Sequence, residues 1–173
     1  MGYPTVILPT PTVLQRITTE YENRINAIQD EDNSRLWNKV IRGQLVGNNP
    51  LMFPICAIHQ GPEQTVLEMW PHIEKVVTFY VEFRFSRIEN IDSLDTFQYY
   101  LGKLQQRLFG TKDNLTLGGL TTNALETNNN PEIESDVDPS PGGLLIYQTY
   151  YRHWNGDPYH LPSETPNYAY GSI

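Results

Sequence analysis

Val76-Val77-Thr78-Phe79-Tyr80-Val81-Glu82-Phe83-Arg84-Phe85-Ser86-Arg87 is the stretch whose reading decides the fold. Val77, Phe79, Val81, Phe83 and Phe85 alternate with Val76, Thr78, Tyr80, Glu82, Arg84 and Ser86. Side chains on a strand point to opposite faces at every second residue, so this pattern predicts one long strand with an apolar and a polar face. Its Phe, Tyr and Val content suits the middle of a sheet, packed against a helix or a second layer.

The neighbouring segments fit around that strand. Downstream, Asn90-Ile91-Asp92-Ser93 supplies a cap for a helix over about 93–109. Leu94, Phe97, Leu101, Leu104 and Leu108 recur at threes and fours, and Gly110 stops the helix. This stripe is predicted to cover Phe79, Val81, Phe83 and Phe85. Upstream, the apolar runs 53–59 and 65–70 flank Gln60-Gly61-Pro62-Glu63, which reads as a hairpin turn, and Pro71 interrupts the ladder. Further out, Thr10 or Thr12 caps a helix over about 12–29 whose apolar stripe is Leu14, Ile17, Tyr21, Ile25 and Ile28. The segment 34–44 fits either a short helix through Leu36, Trp37, Val40 and Ile41 or a strand over Lys39-Val40-Ile41-Arg42-Gly43, and the strand is preferred.

Toward the C-terminus, 115–125 mixes Thr with Leu and could supply a strand. The polar, acidic stretch 128–143 is rich in turn formers and reads as a mobile loop. Residues 144–153 form a strand that starts apolar on both faces, and Asn155-Gly156-Asp157-Pro158 turns the chain. The expected architecture is a single α+β domain over 12–158, a mostly antiparallel sheet whose central strand (76–87) is covered by two helices (12–29 and 93–109). An extended N-terminal arm (1–11) and a Pro- and Tyr-rich tail (159–173) flank it. Extended ends of this kind dock on a neighbour or stay unordered.

The chain of 173 residues is long enough for one well-cored domain. Its 12 Lys and Arg against 20 Asp and Glu give a formal charge of −8, which argues against a broad grip on nucleic acid phosphates. Cys56 is the only cysteine, so no internal disulfide forms. No apolar run reaches membrane-spanning length and no signal pattern opens the chain, so the expectation is synthesis and folding in the cytoplasm with no membrane partner.

Candidate chemistry is sparse. His59, His72, His153 and His160 lack metal-ligand spacing, and Cys56 lies in an apolar strand where a small core residue is the simpler reading. No phosphate-binding glycine loop, nucleophile elbow or zinc-protease helix occurs. Glu68 with Glu82-Phe83-Arg84 has the outline of a metal-dependent nuclease, a carboxylate pair holding a divalent ion. A charged strand face is more simply a solvated one, and the expectation is no enzyme, no metal and no cofactor. Tyr150, Tyr151, Arg152, Trp154, Asp157 and Tyr159 are instead the candidate interface, because Trp, Tyr and Arg dominate contact energies. Trp154 fits a core role equally well.

The order of helix, bend, hairpin, long amphipathic strand, capped helix and final strands resembles the tail-terminator (tail-completion) proteins of long-tailed bacteriophages. The opening helix, Lys39-Val40-Ile41-Arg42-Gly43, the 76–87 strand with its following helix, and Tyr150-Tyr151-Arg152-His153-Trp154-Asn155-Gly156-Asp157-Pro158 carry the likeness. It implies a structural virion protein, made in the host cytoplasm and assembled as a hexameric ring on the head-proximal end of the tail tube. Such a ring ends tube growth and joins the tail to the head connector, while genomic DNA passes its lumen without specific binding. An acidic lumen suits that passage. A head-closure or neck protein is the alternative.

Overall fold

The computed structural model describes residues 10–45, 50–132 and 140–165. The elements in chain order are α1 (Val13–Asn26), β1 (Lys39–Arg42), β2 (Ile55–Met69), β3 (His72–Arg84), α2 (Ser93–Phe109), α3 (Lys112–Thr116), β4 (Asn123–Glu132) and β5 (Gly142–Trp154). They make an α+β fold on a five-stranded sheet of order β1-β2-β3-β5-β4. Only β1 and β2 are parallel; the other neighbours are antiparallel.

The long strand is central, as its alternation predicts, but it starts and ends earlier than the 76–87 reading. Its first residues, His72 to Lys75, pair with Met69 to Thr65 on one side and with Trp154 to Tyr151 on the other. Val77, Phe79, Val81 and Phe83 share their face with Cys56 and Ile58 of β2 and with Leu145, Tyr147 and Tyr151 of β5, all buried. Phe85 lies past the end of β3 and is still buried, its ring 5.3 Å from that of Tyr100.

Both helices cover that face. At the start of α1, Thr12 and Gln15 form a reciprocal capping box, so Thr12, not Thr10, is the cap. Val13, Ile17, Tyr21 and Ile25 are fully buried, and Tyr21 meets Phe79 and Tyr147 edge-on at 5.0 and 5.1 Å. Asp92 caps α2 by accepting from the Leu94 amide, and Phe97 stacks on Phe83 at 5.7 Å. The expected pairing of the two stripes therefore divides: α2 covers Phe83 while α1 covers Phe79. Leu94, in the first turn of α2, is exposed and not in the core, and the buried stripe of the helix begins at Thr96 and Phe97.

Four sequence expectations are corrected. No turn falls at 60–63: β2 runs through it with register shifts between Gln60 and Glu63 and between Thr65 and Leu67. Among the described residues, β2 beyond Ile58 has no strand partner on its β1 side, so Pro62 interrupts no ladder bond to them. Gly61 permits the Tyr80 ring to lie over the backbone, where a Cβ would come within 2.6 Å of it. The stretch 115–125 gives first a short helix capped by Thr111 and only then, from Asn123, a strand. The loop expected over 128–143 is mostly something else. Asn128 to Glu132 pair with Ile146 to Gly142 in β4, and Gly142-Gly143 is buried strand; 133–139 lies outside the described residues. A Cβ on Gly143 would sit 2.2 Å from the Phe97 ring, so the glycine is what lets α2 approach β5.

The tail is the last correction. Residues 159–165 fold back onto the domain: the Val13 amide donates to the Pro158 carbonyl, Leu161 is buried, and Arg16 grips Glu164 through two bonds of 2.9 Å. The arm at 1–9 and the tail beyond 165 lie outside the described residues.

Candidate interaction surface

The two carboxylates of the nuclease outline lie on opposite faces of the sheet. Glu68 pairs opposite Ile73, on the face turned to the helices, whereas Glu82 belongs to the opposite face and binds Arg84 at 3.1 Å. Arg84 is held in turn by Glu132 at 2.5 Å. The two carboxylates are about 30 Å apart along β3 and do not converge. Among the described residues no group of three His, Cys, Asp or Glu could hold a metal ion. Burial, and then the nearby Glu82 carboxylate, pushes the Cys56 thiol up, which keeps it protonated and unreactive.

The six residues read as an interface are split by the fold. Tyr151 and Asp157 belong to the interior, so neither offers its side chain to a partner. Tyr151 faces the helices and donates to Glu63 at 2.5 Å. Asp157 accepts from His160 Nδ1 at 2.8 Å and from the Tyr159 amide at 3.1 Å, which closes the turn after β5. Trp154 is half-buried, with its Nε1 donating to the carbonyls of Leu161 and Glu164 and the His72 ring edge-on at 4.5 Å. Its role is thus to hold the returning tail. Tyr150 is half-buried; Arg152 and Tyr159 are exposed.

Arg152 leads to a surface that sequence reading missed. It is ion-paired with Glu74 at 3.1 Å across the β3–β5 ladder, beside the β2–β3 hairpin tip. From Pro62 to Met69 every residue of β2 is exposed. Trp70 is 75 % exposed, and Val66, Leu67 and Met69 are each about half exposed. Four large apolar side chains within five positions on an acidic chain are an unusual surface for a protein that acts alone. The signal was present in the sequence as the apolar run 65–70, but it reads as core until the fold shows that neither helix extends over the tip.

Beside the tip lies a groove of about 390 Å³, lined by Leu120, Thr121, Leu161, Pro162 and Ser163 together with His72 and Arg152. A smaller hollow bordered by Leu67 and Met69 shares His72 and Arg152 with it, so tip and groove are contiguous. A second exposed apolar set, Ile88, Ile91 and Leu94, follows the far end of β3. Roughly 40 Å of strand separates the two sets.

Beneath the tip a polar cluster ties β2 to its neighbours. Glu63 accepts from Lys75 and Tyr151; burial alone would raise its pKa, but these hydrogen bonds outweigh it and hold the carboxyl below its ordinary value. The tip is therefore fixed to the sheet at its base. No described helix is long and apolar enough to cross a membrane. No protein-family model matches the chain, and no curated protein matches it in sequence.

Proposed function

We propose that the protein is a structural assembly subunit, a tail-terminator ring that caps the phage tail tube and joins it to the head connector. The observation that carries this reading is the exposed apolar hairpin tip, Val66 to Trp70, at the end of a long sheet. A part that sits between two others needs contacts at two places, and the Ile88, Ile91 and Leu94 set supplies the second. The formal charge of −8 fits a ring through which DNA slides without being held. Binding does the work in this reading, with no chemical step.

Native mass spectrometry of the purified protein tests it. A discrete ring, six copies in the expected case, is the supporting result, together with capping of preformed tail tubes in electron micrographs. A monomer at high concentration that leaves tube length unchanged overturns it.

A further inference from the structure

We infer that the groove beside the hairpin is the receptor for the hairpin tip of a second copy, so that neighbouring subunits join tip to groove in a head-to-tail chain. This rests on the proposal that the protein assembles with itself, and it names the two surfaces that do so.

The two surfaces match in apolar character and in charge. The tip presents Leu67 and Met69 on one face of the hairpin, Glu68 on the other and Trp70 at the turn, so a groove that takes the tip meets both faces. Glu68 is exposed and makes no ion pair among the described residues. The groove presents Leu120, Leu161 and Pro162 for apolar contact, and its one arginine is Arg152. Among the described residues the Arg152 guanidinium makes a single bond, to Glu74 at 3.1 Å, although it carries five donors. A carboxylate arriving beside it gains a charge-assisted partner without displacing the existing one. At about 390 Å³ the groove is within the roughly 300–1,000 Å³ of sites that enclose a few side chains' worth of ligand.

A second copy is favoured over a different protein because both halves of the match are on one chain. Copies of so acidic a chain repel one another, and contact is least costly where a cation meets an unpaired acid. The chain's own tip does not fill its groove: Met69 and Trp70 remain 51 % and 75 % exposed. A contact between two different surfaces repeats from copy to copy and closes into a ring when the rotation per step allows it.

Complementation of defective surfaces is the test. Met69→Asp spoils the tip and Ser163→Trp fills the groove from its exposed rim; thermal melting of each full-length variant is compared with wild type. Each variant alone is expected to be monomeric in native mass spectrometry, and an equimolar mixture to give one-to-one heterodimers joined by the single intact tip and groove. Arg152→Glu is expected to weaken assembly roughly tenfold or more, and Glu68→Arg added to it to restore much of the loss. A natively melting Ser163→Trp variant that assembles like wild type, while Met69→Asp does not, overturns the groove as receptor and leaves self-assembly standing. Failure of the mixture to form heterodimers, or of Glu68→Arg to rescue Arg152→Glu, also overturns it. A monomeric wild type removes both readings.

Discussion

Phe83 is enclosed by α2 and by the segment that leads into β1: its ring is fully buried, 5.7 Å from Phe97 and 5.9 Å from Trp37. Truncation to Ala removes buried apolar surface and leaves a cavity that these rings cannot fill, so Phe83→Ala should cost about 3–5 kcal/mol in a denaturant titration. A loss under 1 kcal/mol would show that the site collapses. Gly143 is the converse case. Any Cβ there intrudes on Phe97, so Gly143→Ala is expected to cost about 1–3 kcal/mol through overpacking, and Phe97→Leu in the same chain to recover part of it. The Phe alternation was legible in the sequence because period two is a backbone property. The need for glycine was not, since it comes from a ring on a helix more than thirty residues away.

At the scale of elements, the returning segment 158–165 behaves as a strap across α1 and β5. Trp154→Ala removes the indole N–H that holds the carbonyls of Leu161 and Glu164, and is expected to lower the monomer's melting temperature; Arg152→Ala, on the exposed surface, should leave it unchanged. Equal melting of both variants would remove the strap from the stability of the fold. The strap is also acid-sensitive. Glu164 is held below its ordinary value first by its Arg16 hydrogen bonds, against a smaller opposing desolvation. Its stabilisation is present above the ordinary carboxylate range, about pH 4.3, and is lost as pH falls through the depressed value. Arg16→Ala should therefore flatten the acid limb of the stability profile while changing neutral stability by no more than about 1 kcal/mol, as expected for a partly exposed pair. The capping segments, Thr10 or Thr12 for α1 and Asn90 to Ser93 for α2, were readable from sequence because capping is local, and the structure fixed Thr12 and Asp92 within them. The strap was not, since its bonds to α1 join residues more than a hundred positions apart.

For the molecule as a whole, the prediction is a separation of folding from assembly. The hairpin tip contributes exposed side chains and little core, so Met69→Asp should shift the melting temperature hardly at all while abolishing higher-order species in native mass spectrometry. Loss of fold in that variant would mean that the tip is structural, and the assembly reading would lose its support. The fully buried residues of α1, β3 and β5 carry the opposite expectation, stability without direct effect on partner contact.

The sequence by itself determined the α+β class, the central strand, the two covering helices with the segments that cap them and the preference for a strand at 39–43. All of these follow from periodicity and local hydrogen bonding, which act within a few residues. Only the tertiary structure decided that β2 passes through Pro62 without turning, that Asn128 to Glu132 form a strand, that Tyr151 and Asp157 face inward and that the apolar run at 65–70 faces out. Each of those depends on which neighbour lies alongside. An open strand flank tolerates proline, a long β5 supplies a ladder to a polar segment, and an apolar residue is core only where another layer extends far enough to cover it.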